Sequence, residues 1–216
     1  MTKSIGQPII RNEDLRLLTG AGEFSDDRNF PGQACAAMLR SPHAHAEITG
    51  IDRAAAQSMP GVLLIVTGKD WLDAGLLPLQ NNPIPSSRTD PTLFASGGGL
   101  PHTREQFPLP AERVHIVGEA ISMVIAETPA QARDAAEAIE VTYQLIDANA
   151  DSARAEEAAL LWDDLENNLC VDSDLGDPAA TDDAFVKADH VVNLAVHIGR
   201  VTGVPMEPRA ALATYD

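Results

Sequence analysis

The sequence is poor in cysteine and in basic residues. It has two cysteines, Cys35 and Cys170, and 15 Lys and Arg residues in 216. Two cysteines can form neither a disulfide framework nor a four-ligand zinc site, which favours a reducing, cytoplasmic compartment. No apolar run approaches the roughly 18 residues of a membrane span, and no apolar segment typical of a secretory signal follows the first residues. The sequence therefore predicts a globular cytoplasmic chain.

Acidic residues outnumber basic ones, 32 to 15, for a formal net charge of −17. Nucleic-acid binding depends on Lys and Arg at phosphates, so this balance excludes a nucleic-acid partner. Residues 147–189 carry 13 of the acids and only two bases. This segment is interpreted as a solvated acidic connector, with a docking surface for a basic partner as the alternative.

Short helices and strands alternate in the pattern of the first 75 residues. Turn and capping residues mark their ends, and the apolar run at 62–67 is typical of a strand covered on both faces. The predicted elements are a helix capped by Asn12 and ended by Gly20, a strand over 33–40, a bend and short strand over 41–48, an Ala-rich helix capped by Asp52, a strand over 62–67 and a helix beginning near Gly68.

Residues 78–110 hold seven of the fifteen prolines and the triplet Gly97-Gly98-Gly99, without helical or strand periodicity. Connections of this length are commonly functional or disordered. The triplet is interpreted as a loop tip, with an anion cradle as the alternative.

The second half gives clearer helix signals. Thr128 caps, Pro129 suits the first helical position and Gln131 completes a capping box, while Ala132, Ala135, Ala136 and Ile139 form one apolar stripe. The other predicted elements are strands over 114–117, 121–126 and from Val141, a helix begun by Asp177-Pro178, and strands over 190–200 and 210–216. Because the pattern stops inside a strand, we expect the chain to be the front of a larger protein or one subunit of a split one.

Two groups of residues are candidate sites. His43, His45 and Glu47 alternate along a predicted strand and could present a metal face, or hydrogen-bond locally at the bend set by Pro42. Glu207 lies between Pro205 and Pro208, and Arg209 follows Pro208; the two could line a site, or form a structural ion pair. No dinucleotide fingerprint, phosphate loop or nucleophile elbow is present.

Several short runs occur in a fixed order along the chain. They are Arg11–Gly20, Asp26-Asp27, Leu39–His45, Met59–Val62, Thr67-Gly68, Val117–Glu119, Ala126–Thr128 with Gln131 and Ala135-Ala136, and Pro205–Arg209. Together they resemble one family, the molybdenum-binding large subunit of the molybdenum hydroxylases, which includes xanthine dehydrogenase, aldehyde oxidase and the aerobic carbon monoxide dehydrogenases. One departure is Ala120, where the family often has proline.

The resemblance implies an α+β fold: an α/β-hammerhead domain followed by the beginning of a molybdopterin-binding domain. The expected divisions are an N-terminal segment over 1–19, the hammerhead domain over 20–146, the acidic connector over 147–176 and the incomplete molybdopterin-binding domain over 177–216. Loops of this domain help to line the substrate entrance in the family, so we expect residues 78–110 to lie there.

The resemblance also implies cofactors and partners. The parent enzyme would use molybdenum on molybdopterin, in its cytosine dinucleotide form, with iron–sulfur clusters and FAD on partner subunits or domains. In the family the cofactor-binding motifs and the catalytic glutamate lie downstream, so no catalytic residue is assigned. The expected function is the structural and substrate-access portion of an enzyme that hydroxylates an aldehyde or N-heterocycle, or oxidises CO. A non-catalytic binding module and an inactive remnant are the alternatives.

Overall fold

The computed structural model describes residues 6–79, 104–170, 176–199 and 201–214. The chain divides into two compact units, Met1–Gln33 with Val192–Asp216, and Ala34–Val191. Most of the proline-rich loop and the Gly97–Gly99 triplet lie outside the described residues, so the expectations for them stay predictions. No helix in the described ranges is long and apolar enough to cross a membrane.

Five α-helices and six strands are present in the described ranges, with two short 3₁₀ turns at Ser25–Asp27 and Ser152–Glu157. In chain order they are α1 Asp14–Leu18, β1 Cys35–Arg40, β2 Ala46–Asp52, α2 Ala54–Gln57, β3 Val62–Thr67, α3 Gly68–Asp73, β4 Arg113–Val114, β5 Ala120–Ala126, α4 Pro129–Glu137, β6 Glu140–Leu145 and α5 Pro178–Lys187.

Six strands of the unit Ala34–Val191 form two antiparallel three-stranded sheets. One has the order β1-β5-β3 and the other β4-β2-β6. β5 is therefore the central strand of the first sheet, and β2 that of the second. The mixture of helices and antiparallel strands confirms the α+β class.

Helix α4 forms the core against the first sheet. The Thr128 hydroxyl oxygen accepts a hydrogen bond from the Gln131 backbone N–H at 3.3 Å, as the capping signal predicts. In a capping box the Gln131 side chain would accept from the Thr128 backbone N–H. Here its oxygen accepts from the Thr128 hydroxyl instead, at 2.8 Å. Ala132 and Ala135 are fully buried, and Ala135 packs with Ile65 and Val124. Small side chains on this face let the helix lie close to the sheet.

Strand β3 is covered on one face only, so the prediction of a strand buried on both faces is wrong. Ile65 packs under α4, whereas Leu63 and Leu64 are exposed. β3 is an edge strand, and α4 packs on only one side of its sheet. A continuous apolar run does not reveal whether its second face has a neighbour.

The helix predicted from Asn12 forms, but Asn12 is not its cap. α1 begins at Asp14, and its N-cap residue is Glu13, whose side chain makes no capping hydrogen bond. The Asp14 carboxylate instead accepts from the Arg11 backbone N–H at 3.2 Å and from the Arg11 guanidinium at 2.9 Å. Gly20 ends this region with φ +72°, a conformation that favours glycine.

The two C-terminal strands predicted over 190–200 and 210–216 do not form in the described parts of those ranges. Val192, Leu194, Val196 and Ile198 are exposed instead. An alternating pattern becomes a strand only when another strand pairs with its backbone. Helix α5 does form, and the Asp177 carboxylate accepts from the Ala180 N–H at 2.9 Å, which confirms that cap.

Candidate functional site

A groove of about 1120 Å³ opens on the unit Ala34–Val191. Its walls are β2 and β4, the chain entering β4, and the part of the acidic segment around Trp162. Trp162, Phe107 and Ile116 supply apolar lining, and charged side chains surround them. A concave surface of this size with convergent polar groups is the default candidate for a binding site.

Three aromatic rings stack beside this groove. The His115 ring lies 5.2 Å from the Trp162 ring and 5.8 Å from the His45 ring, between centroids, with interplanar angles of 26° and 28°. The Arg104 guanidinium carbon lies 5.7 Å from the Trp162 ring centroid, within range of a cation–π contact. This ring stack, His45–His115–Trp162, joins the chain before β2, the end of β4 and the acidic segment.

Arg113 holds the acidic segment against the sheet. Its guanidinium donates to both Asp163 carboxylate oxygens, at 2.9 and 3.2 Å, and to Glu47 at 3.2 Å. Arg104 forms an ion pair with Asp164. This part of the acidic segment is therefore attached to the domain, which differs from the expected solvated connector.

Burial governs the electrostatics of the ring stack. It holds the pKa of His115 below its ordinary value, and the nearby Arg113 charge acts in the same direction. The Glu119 charge opposes the shift, and its carboxylate accepts from the His115 backbone N–H at 2.7 Å. Burial therefore favours the neutral form of the His115 imidazole.

His43, His45 and Glu47 do not converge, so the hypothesis of a metal face is wrong. β2 begins only at Ala46, and the two histidines precede it. The His43 ring packs edge-on against Tyr143 at 4.8 Å, His45 is buried in the ring stack, and Glu47 pairs with Arg113. In the ranges that the structure describes, no three His, Cys, Asp or Glu side chains could hold a metal ion.

Glu207 makes a specific contact within the unit formed by the two chain ends. One carboxylate oxygen accepts from the Ser25 backbone N–H and from the Ser25 hydroxyl, both at 3.1 Å. No Glu207–Arg209 ion pair is found between these described residues. Glu207 therefore anchors the turn at Ser25, and its proposed role in lining a site stays a prediction, as does that of Arg209.

The groove residues that sequence reasoning missed are Arg104, Arg113, His115 and Trp162. Only one signal pointed to them: Trp162 is one of two tryptophans and ends the short apolar run Leu160-Leu161-Trp162 inside the acidic segment. The pairing of Arg113 with Asp163 and the stacking of His115 depend on contacts between distant parts of the chain, which periodicity does not report.

The groove does not fit the molybdopterin cofactor that the resemblance implies. Molybdopterin carries phosphate, which needs cationic side chains or clustered backbone N–H groups. The groove is lined by six carboxylates, and its two arginines are already paired with them. The carboxylates are Glu47, Glu105, Glu112, Glu119, Asp163 and Asp164. We therefore assign no cofactor contact to this groove.

Comparison with known families gives one match over residues 19–147, to the family described as "Aldehyde oxidase and xanthine dehydrogenase, a/b hammerhead domain". Among curated proteins, the chain is 34% identical to the nicotine 6-hydroxylase large subunit of Paenarthrobacter nicotinovorans, over 98% of this chain and 24% of that protein. It is 30% identical to the carbon monoxide dehydrogenase large chain of Afipia carboxidovorans, over 95% of this chain and 25% of that protein.

Solved structures show the same likeness. Quinoline 2-oxidoreductase from Pseudomonas putida matches with a TM-score of 0.62 and 35% identity, over 77% of this chain and 20% of that one. A Cu,Mo-containing CO dehydrogenase matches with a TM-score of 0.65 and 27% identity, over 86% of this chain and 23% of that one. The chain spans about a quarter of the length of the relatives named here.

Proposed function

Because the chain belongs to the aldehyde oxidase and xanthine dehydrogenase family of molybdenum hydroxylases, we propose that it is the N-terminal portion of such an enzyme's large subunit. Residues 20–146 form its hammerhead domain, between an N-terminal segment over 1–19 and the connector over 147–176. Residues 177–216 open the molybdopterin-binding domain. The role of the chain is structural, and its loops border the substrate entrance.

The proposed parent reaction is hydroxylation of an aromatic N-heterocycle with oxygen derived from water. The observation that carries this choice is the 34% identity with nicotine 6-hydroxylase over 98% of this chain. The 35% identity with quinoline 2-oxidoreductase supports it, because quinoline is also an N-heterocycle. Carbon monoxide and aldehydes are the competing substrates, on the likeness to CO dehydrogenase and aldehyde oxidase.

The proposal assigns the cofactors to other parts of the assembly. Molybdopterin, in its cytosine dinucleotide form, would be held by the remaining molybdenum domain, and the iron–sulfur clusters and FAD by partner subunits or domains. The acidic lining of the groove supports this division, because it disfavours an anionic cofactor. The whole assembly is proposed to work in the cytoplasm.

The test uses the complete enzyme, in which this chain is joined to the remaining molybdenum domain and to its iron–sulfur and flavin partners. Nicotine, quinoline, an aromatic aldehyde and CO are each supplied with an artificial electron acceptor in water enriched in ¹⁸O. We expect turnover of an N-heterocycle and one ¹⁸O atom in its product. Turnover of CO or the aldehyde alone would correct the substrate class.

A second preparation contains residues 1–216 by themselves. We expect this chain to hold no molybdenum and to oxidise none of the four substrates, since the groove does not fit the cofactor. Stoichiometric molybdenum in it would contradict the assignment of the cofactor to other residues. A complete enzyme that holds molybdenum but oxidises no substrate would favour the non-catalytic alternative.

A further inference from the structure

The sheet β1-β5-β3 has one apolar face that α4 does not cover. Residues opposite one another in neighbouring strands point to the same face. Met38 pairs with Met123, and Met123 also pairs with Val66. Ile125 pairs in the same way with Ala36 and Leu64. We call these six residues the outer sheet face: Ala36, Met38, Leu64, Val66, Met123 and Ile125.

Helix α4 packs on the opposite side of this sheet. Its core partners, Ala37, Ile65 and Val124, alternate along the strands with residues of the outer sheet face. Met38 of the outer sheet face is 43% exposed and Leu64 is 53% exposed. The structure therefore leaves two large apolar side chains open, next to half-buried Met123 and Ile125.

The composition of the outer sheet face limits its partner. All six side chains are uncharged, although the chain as a whole carries a formal charge of −17. Interfaces that form permanently are more apolar than transient ones, which keep charged groups for steering. A second copy of this chain is a poor partner, because two strongly acidic molecules repel each other.

The length of the relatives indicates a partner that is always present. The CO dehydrogenase chain matches this chain over 86% of its residues and is about four times longer, since the match covers 23% of it. In a polypeptide of that size, the remaining domains are covalently joined to the hammerhead domain and stay close to it. Linkage raises the local concentration, so a modest apolar face suffices for stable docking.

We infer that the outer sheet face docks against an apolar surface of the remaining molybdenum domain of the same large subunit. This inference depends on the proposed function, because it requires the chain to be part of that subunit. Docking buries Met38 and Leu64 and fixes the first sheet relative to the rest of the enzyme. The sheet then has α4 on one side and the molybdenum domain on the other.

Methionine oxidation tests the inference directly, since Met38 belongs to the outer sheet face, on its edge strand β1, and its side chain is exposed. Peroxide oxidises methionine according to its exposure. The complete enzyme is treated with peroxide, folded and in urea, and Met38 sulfoxide is followed by mass spectrometry. Docking predicts that folding slows Met38 oxidation by about tenfold or more, whereas a side chain as open as in this structure is slowed only about twofold.

A pair of variants gives a second readout. Leu64→Lys places a charge on the outer sheet face, and Leu145→Lys places one at the end of β6, where Leu145 is also exposed, at 65%. We expect Leu64→Lys to speed Met38 oxidation in the complete enzyme and Leu145→Lys to leave it unchanged. If Leu64→Lys does not fold, the oxidation rate of the unsubstituted enzyme still decides.

Two outcomes overturn the inference. Rapid Met38 oxidation in an active enzyme shows that the face is open, and leaves the proposed function intact. Protection that already appears in the isolated chain, together with a dimer mass, assigns the face to a second copy. Protection in a complete enzyme that oxidises none of the four substrates supports the docking surface while contradicting the proposed function.

Discussion

Replacing Asp70 with asparagine removes a charge that the fold stabilises. The Asp70 carboxylate receives the Arg53 guanidinium through both its oxygens. It also accepts from the Thr67 backbone N–H at 2.8 Å and from the Thr67 hydroxyl at 2.7 Å. These contacts join the end of β3, the start of α3 and the chain before α2. Asparagine keeps the shape but provides only one neutral acceptor oxygen.

The size of the effect follows from the pKa. The Arg53 hydrogen bond and then the Thr67 contacts lower the pKa of Asp70 from 3.8 to about 2, against the opposing effect of burial. A shift of that size corresponds to at most about 2.5 kcal/mol of stability. The Asp70 and Arg53 side chains are 36% and 32% exposed, so solvent screening reduces this to about 1 kcal/mol.

The sign of the pH dependence follows from the same shift. The folded chain favours ionised Asp70, so the stabilisation is complete above about pH 4 and is lost as the pH falls through about 2. Urea denaturation followed by circular dichroism should show Asp70→Asn about 1 kcal/mol less stable at pH 7, with about half of that difference gone by pH 3.

The matched control is Asp73→Asn on the same helix. Among the described residues Asp73 pairs with exposed Lys69 alone, so its replacement should leave the denaturation midpoint unchanged within error. A pH-independent difference for Asp70→Asn would show that the lost geometry matters more than the charge. Equal midpoints for Asp70→Asn and the unsubstituted chain would refute the reasoning altogether.

Three further predictions concern single side chains. Thr128→Ala should lower the free energy of unfolding by about 1 kcal/mol in urea denaturation, because the Gln131 N–H loses its acceptor. A decrease below about 0.3 kcal/mol would mean that the cap is not energetically important. Gly68→Ala should lower the free energy of unfolding by about 2 kcal/mol or prevent folding, because a Cβ there would overlap the Pro110 backbone. An unchanged denaturation midpoint would contradict this close approach. For His115, NMR titration should give a pKa below 6.5. The free energy of unfolding that depends on His115 is then largest above that pH and falls on acidification. A pKa above 6.5 would show that the charge of Glu119 outweighs burial.

The sequence alone determined the elements whose signals are local. The cap and proline at Thr128-Pro129 and at Asp177-Pro178 identified α4 and α5, and alanines at helical spacing identified the buried face of α4. These signals act within one or two turns of the helix, so no knowledge of neighbours is needed. The family could also be identified, because it is carried by short runs in a fixed order.

The tertiary structure decided what lies beside each element. The apolar run at 62–67 could not reveal that β3 is an edge strand with Leu64 open, because that depends on α4 covering only one side of the sheet. Alternation over 190–200 predicted a strand that does not form in the described residues, since pairing requires a second strand. The ring stack likewise arises only when folding brings Trp162 of the acidic segment onto His115, the residue that follows β4.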